Sequence, residues 1–399
     1  MNTAYIIDIA RTPVGKFTGA LSSVRPDDLA AFILKELMAR NPQLDPSLIE
    51  DVVLGAANQA GEDNRNVARM ALLLAGLPHE IGGVTVNRLC ASGLQSIIDA
   101  SRAIACGDGD VYLAGGVESM TRAPFVMAKA ETAFARTPEI YDTTIGWRFV
   151  NNALSSLHYP YSMGETAENV AERYGVSREA QDEFAHSSQL KYKAAAEAGK
   201  FKDEIIPVPV PQRKGDPILF DTDEHPRLSS VEKLAALGAA FKKGGTVTAG
   251  NASGINDGAA ASIIVSEEIL KRYDLKPMAR IVSAAVAGVE PAYMGMGPVP
   301  ATQKALKRAG LTINDIGLAE INEAFAAQAI PCVQELGINP EIVNVNGGSI
   351  AIGHPLGASG TRISATLLHE MKRRDNVRYG LATMCVGVGQ GAAIIYERL

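Results

Sequence analysis

Short apolar runs alternate with apolar residues at helical spacing through both outer thirds of the chain. Tyr5–Ile9, Val52–Gly55, Val84–Asn87 and Val111–Ala114 predict strands, and Asp27–Met38 and Leu94–Ala105 predict helices between them. This alternation predicts an α/β fold of layered sheets and helices. The middle third breaks the pattern. Residues 121–245 are richer in charge, aromatics and proline (Pro207, Pro209, Pro211, Pro217, Pro226), with a helical stretch over Glu165–Ala198.

The pattern also repeats. Val84-Thr85-Val86-Asn87 followed by Ala91-Ser92-Gly93 recurs as Val343-Asn344-Val345-Asn346 followed by Ala358-Ser359-Gly360. A helical pattern and a strand follow each copy, ending in Val111–Ala114 and Leu381–Met384. Several elements recurring in one order predict two core halves of the same topology. The expected division is a first half over 1–120 and 246–275, an insertion over 121–245, and a second half over 276–399.

Composition narrows the function classes. A formal charge of -6 over 399 residues gives no general attraction to nucleic acid or an anionic membrane. Cys90, Cys106, Cys332 and Cys385 lie far apart, with no disulfide framework, which fits reduced thiols in the cytoplasm. The first residues enter a strand without a signal-peptide pattern, and no apolar run is long enough to cross a bilayer.

Four positions carry candidate chemistry. Cys90 sits between a strand and a helix, where backbone N–H groups and the helix dipole favour a thiolate and can hold an oxyanion. His354 lies in a glycine-rich loop that holds, in the second half, the place of the Cys90 turn in the first. A histidine beside a cysteine is the minimum for an activated thiol. Cys385 opens Cys385-Val386-Gly387-Val388-Gly389-Gln390-Gly391, read as a ligand-approaching loop with Cys385 as acid or base. A dinucleotide site there is rejected, because no helix follows to receive a pyrophosphate. Asn322 follows a strand and suits a hydrogen bond to a substrate oxygen, directly or through water, and a helix N-cap, and both roles can hold together. The remaining histidines show no metal-ligand spacing. A zinc site from Cys90, Cys385 and His354 is a minor alternative, and the expected metal content is none.

Together these segments resemble the thiolase family. The resemblance rests on Asn87–Gly93, Gly115-Gly116-Val117-Glu118-Ser119-Met120, Gly245–Gly258, Asn322-Glu323-Ala324-Phe325-Ala326, Gly353-His354-Pro355-Leu356-Gly357 and the Cys385 loop, and it spans nearly the whole chain. It implies the thiolase fold and an inserted loop domain that binds coenzyme A, with CoA and acyl-CoA as substrates and no covalently bound cofactor. It further implies a homotetramer built as a dimer of dimers. Carried over, Cys90 is the nucleophile, His354 helps deprotonate it, and Cys385 is the acid/base for the second partner. The N–H groups of Cys90 and Gly387 would hold one oxyanion. His354, with Asn322 acting through water, would hold the other. For CoA the resemblance implies Ser253 at the pantetheine and Arg227 at the nucleotide. Phe241, Met163, Met294 and Phe325 would line the pocket with Ala249 and Gly250.

Many acetoacetyl-CoA-forming members have a histidine where this chain has Ser162, so a degradative enzyme is expected. Gly61–Met70 and Asp142–Phe149 resemble 3-oxoadipyl-CoA thiolases, whose substrate ends in a carboxylate that a basic residue, with Arg148 as candidate, should meet. The rivals are an acetoacetyl-CoA-forming thiolase, a decarboxylating ketoacyl synthase on the same fold, and a non-catalytic CoA-binding or thiol-redox module. Cys385 argues against the synthase, and His354 with Asn322 against the redox module.

Overall fold

A computed structural model describes residues 2–399. Its strands are β1 (Ala4–Arg11), β2 (Gly15–Lys16), β3 (Asp51–Gly55), β4 (Gly82–Val86) and β5 (Val111–Ser119). β6 (Phe125–Met127) pairs with β7 (Ile140–Asp142), and β8 (Val208–Val210) with β9 (Ile218–Phe220), as two separate hairpins. The chain then returns with β10 (Asn256–Ser266), β11 (Ala279–Gly288), β12 (Ile316–Ile321), β13 (Tyr379–Val386) and β14 (Gln390–Glu397). All strands outside the hairpins form one sheet in the order β12-β13-β14-β11-β1-β10-β5-β3-β4, with β2 on β10.

The two arms of this sheet have matching pairings. β3 runs parallel to β5, which is antiparallel to β10, which is antiparallel to β1. β12 runs parallel to β13, which is antiparallel to β14, which is antiparallel to β11. The match fails where a second copy of β4 should lie. The expected strand Val343–Asn346 is reduced to a single bridge between Ala319 and Val343. Asn344 takes a left-handed φ of 45° and uses its side chain instead. Its amide donates to the Ile321 carbonyl and its oxygen accepts from the Ile321 N–H, both at 2.8 Å, so the ladder of β12 is completed without a strand.

The helices after the two repeated motifs, Ser92–Cys106 and Leu356–Lys372, pack against each other. The second is buried along nearly its whole length. A Cβ on Gly93 would lie 2.6 Å from the Gly357 carbonyl, and one on Gly360 would lie 2.1 Å from the Leu94 nitrogen. The crossing therefore requires glycine on both helices. It also fixes the distance between the loops that precede them.

The expected helical stretch Glu165–Ala198 is two helices, Met163–Tyr174 and Arg178–Glu197, separated at Gly175 with φ 64°. Ser162 caps the first. Its hydroxyl accepts from the Glu165 N–H at 3.4 Å, and the Glu165 carboxylate accepts from the Ser162 N–H at 2.8 Å. The middle segment is fastened to the sheet by Arg11, which is fully buried. Its Nε donates to Glu204 at 2.7 Å, and its two Nη atoms to Asp223 at 2.7 and 3.0 Å.

Candidate active site

Cys90 lies in the 3-10 turn Leu89–Ala91, ahead of the helix Ser92–Cys106. Leu89 holds a φ of 46°, which a bulky L-residue rarely adopts. The turn is pinned by Ser92, whose hydroxyl accepts from the Arg88 N–H and donates to the Leu89 carbonyl. This presents the Cys90 sulfur, half-buried, to a cavity of about 300 Å³ that Glu118, Met163, Leu356 and Gly387 also line. The neighbouring backbone N–H groups of Gly387 and of Cys90 itself favour the thiolate. Burial outweighs them and pushes the thiol up to about 11, so unliganded Cys90 is a thiol and not the thiolate expected from its helix terminus.

The second half supplies buried partners. Cys385 is the penultimate residue of β13, within its buried run, and burial, with Cys90 as a further cause, raises its thiol well above the usual range. The Leu89–Ala91 turn packs on β13 and on the helix Leu356–Lys372, whose start is one residue beyond Pro355. His354 is buried. Its N–H donates to the Asn256 side chain at 2.9 Å, and Nδ1 lies 2.6 Å from the Ser359 hydroxyl. Burial, with the nearby Arg362 charge, lowers the imidazole to about 3, so the ring is neutral. Its Nε2 is buried without a hydrogen-bond partner.

Asn322 shows the same signature. It is buried, its oxygen accepts from the Ser349 hydroxyl at 2.6 Å, and its Nδ2 has no partner. It does not cap the following helix, Ala326–Leu336, whose N-cap is Phe325. Ser349 is itself held by Arg362.

Of the expected CoA positions, Met163, Met294 and Phe325 pack in one cluster with Cys385. Phe241 meets Phe325 edge-on at 6.2 Å, and its ring sits where a Cβ on Gly164 would be. Ser253 donates its N–H to Ala324 at 2.9 Å, which lays 252–253 alongside the Asn322 segment. Arg227 is exposed and donates to the Ala249 carbonyl, next to Gly250. His158 is exposed and does not line the Cys90 cavity. Among the described residues no group of three or more His, Cys, Asp or Glu is placed to hold a metal, and no helix is long and apolar enough to cross a membrane.

Sequence reasoning gave no role to Glu118. This buried carboxyl accepts from the N–H groups of Ala57 at 2.9 Å, Asn58 at 3.1 Å and Gly357 at 2.8 Å, joining both halves beside Cys90. Burial raises it to about 7. Its signal was an acid inside the otherwise apolar run of β5. Ser359 was marked by the repeat but given no role, and Arg362 carried no signal beyond its place in a helical pattern.

Cys90 lies on one of the two matched arms and His354 and Cys385 on the other, in a framework that is that of a thiolase-type acyltransferase. The thiolase N-terminal domain model matches residues 4–268 and the thiolase C-terminal domain model residues 275–398. The chain belongs to the thiolase family. It is 57% identical to the 3-oxoadipyl-CoA/3-oxo-5,6-dehydrosuberyl-CoA thiolase of Escherichia coli (strain K12), over 100% of both chains. The Bacillus anthracis acetyl-CoA acetyltransferase superposes with a TM-score of 0.94 at 42% identity, covering 100% of this chain and 99% of that one. Human mitochondrial 3-ketoacyl-CoA thiolase in complex with CoA gives 0.92 at 40%, covering 100% and 98%.

Proposed function

We propose that this acyltransferase cleaves 3-oxoadipyl-CoA with CoA to acetyl-CoA and succinyl-CoA through an acyl-Cys90 intermediate. The observation that carries the mechanism is that His354 Nε2 and Asn322 Nδ2 are among the buried side-chain atoms without a hydrogen-bond partner, each on a side chain clamped by a serine. Burying such atoms is costly unless a ligand or water meets them. The substrate reading is supported by the relatives at 52–57% identity that are named for 3-oxoadipyl-CoA or its synonym beta-ketoadipyl-CoA.

The Ser359 hydroxyl lies 2.8 Å from the Pro355 carbonyl, which can only accept its proton. Nδ1 of His354 then donates to Ser359, and Nε2 keeps a free lone pair. As Cys90 attacks C3 of the substrate, its proton passes to Nε2. Both groups rest neutral, so charge develops only during attack, when the N–H groups of Cys90 and Gly387 can turn to the new oxyanion. The C2–C3 bond breaks, its electron pair forms the acetyl-CoA enolate, and Cys385 protonates C2. Protonated His354, with Asn322 through water, steadies the enolate oxygen. The Cys385 thiolate then takes the proton of incoming CoA, whose sulfur displaces Cys90 from the acyl group. Cys90 leaves as a thiolate and recovers its proton from His354.

Met163, Phe241, Met294 and Phe325 would line the CoA channel with Ala249 and Gly250, while Ser253 and Arg227 meet pantetheine and nucleotide. The segment 121–245 would supply Met163, Arg227 and Phe241 to this channel. Exposed apolar side chains such as Phe125, Phe134 and Leu157 suit burial between copies in a homotetramer. Four free cysteines suit the cytoplasm. A thiolysis panel across 3-ketoacyl-CoA chain lengths, with and without a terminal carboxylate, tests the substrate. Preference for acetoacetyl-CoA would overturn it.

A further inference from the structure

Arg148 borders the cavity that Cys90 enters, and among the described residues it is the only cationic side chain on that wall. It is half-buried and has neither an ion-pair nor a hydrogen-bond partner among the described residues. The one acid on the wall, Glu118, is occupied by the three backbone N–H groups that bind it. The Arg148 guanidinium therefore has its hydrogen-bond donors free for an anionic ligand entering the cavity.

The segment that carries it is held in place. Thr143 is buried, and Asn58 Nδ2 donates to its carbonyl at 3.1 Å and its hydroxyl at 2.9 Å. Trp147 Nε1 donates to the Tyr161 carbonyl at 3.0 Å. Left-handed φ angles at Gly146 (91°) and Phe149 (50°) bracket Trp147 and Arg148. Phe149 accepts this unfavourable conformation while its ring packs edge-on against Tyr141 at 5.0 Å. Leu89, Met120, Ile145 and Met163 give the same cavity apolar walls.

We infer that Arg148 binds the carboxylate at the far end of the acyl chain, making this cavity selective for 3-oxoacyl thioesters of dicarboxylic acids. This rests on the substrate reading above and assigns the residue that enforces it. Apolar walls suit the methylenes between the reacting carbons and the terminal group. A carboxylate accepts two parallel bonds from a guanidinium, whereas a methyl terminus displaces water from it and returns nothing.

The test compares 3-oxoadipyl-CoA with 3-oxohexanoyl-CoA, which has the same chain length and no terminal charge. The wild-type kcat/KM ratio should favour the dicarboxylate. In Arg148→Met that ratio should fall by roughly 10- to 100-fold, the range of a lost charge-assisted hydrogen bond. Arg148→Lys, which keeps the cation but not the fork, should retain an intermediate ratio and serves if the Met variant misfolds. A wild-type preference for the dicarboxylate with ratios within twofold of wild type in both variants would overturn the assignment. A wild-type ratio at or below one would overturn the substrate reading, and the assignment with it.

Discussion

Two buried polar clusters in this chain are built on opposite terms. Around Arg11, every charged atom has a partner: Glu204 and Asp223 satisfy the guanidinium, and Thr366 adds a bond to Glu204. Around His354 and Asn322, each side chain is held on one side, by Ser359 and by Ser349, and left open on the other. The first cluster fastens the middle segment to β1. The second holds donor and acceptor atoms ready for something that arrives. The first is saturated within the chain, and the second keeps bonding capacity that the proposed mechanism uses.

Substitutions should separate the two. Cys90→Ala should lower thiolysis by about 10⁴-fold or more, as loss of a covalent nucleophile does. Stopped-flow loss of the 3-ketoacyl-CoA enolate absorbance measures this, and thermal unfolding should barely move. Asn322→Ala should lower kcat by roughly 10²- to 10³-fold, as for a lost oxyanion donor. KM should change far less. An unchanged kcat would remove Asn322 from the open cluster. Asp223→Ala, in the saturated cluster, should behave in the opposite way. It leaves buried Arg11 with half its partners and should cost about 3 kcal/mol of stability in urea unfolding, while kcat of the folded fraction is retained. A large kcat loss in that variant would blur the distinction.

The last effect is in the pH dependence of stability. His354 is lowered from 6.5 to about 3, so the folded chain binds fewer protons than the unfolded one between those values. Its contribution is present above the unfolded value and is lost as pH falls toward the folded one. In His354→Asn the acid-side slope of unfolding free energy should flatten by up to about 1.4 kcal/mol per pH unit within that window. His225, lowered to about 4 by burial and then by Arg227, should leave a residual slope of the same sign.

Much of this was legible in the sequence, for identifiable reasons. Strands β1, β3 and β5 and the Cys90 turn announced themselves by period and by glycine. The repeat anticipated the matched arms of the sheet, because homologous apolar spacing encodes homologous pairing. It failed at Val343–Asn346, since one asparagine side chain can do the work of a strand edge and apolar alternation does not report side-chain bonding. The neutral state of Cys90 was also hidden. A helix terminus predicts the favourable influence on a thiolate but not the burial that outweighs it. Asn322 was ambiguous because the residue type suits a cap as well as a donor, and only the placement of Phe325 at the N-cap removes the first. The middle segment was legible as different but not as anchored, because its anchor is a pairing of Arg11 with residues about two hundred positions away.

The central claim is that Cys90 carries the acyl group while the second half manages the protons. Wild-type protein mixed with 3-oxoadipyl-CoA in the absence of free CoA, quenched in acid and digested, should show one succinyl group on the Cys90 peptide, with acetyl-CoA released in equal amount. Succinyl on Cys385, or acetyl-CoA release with no acylated cysteine, would contradict the account.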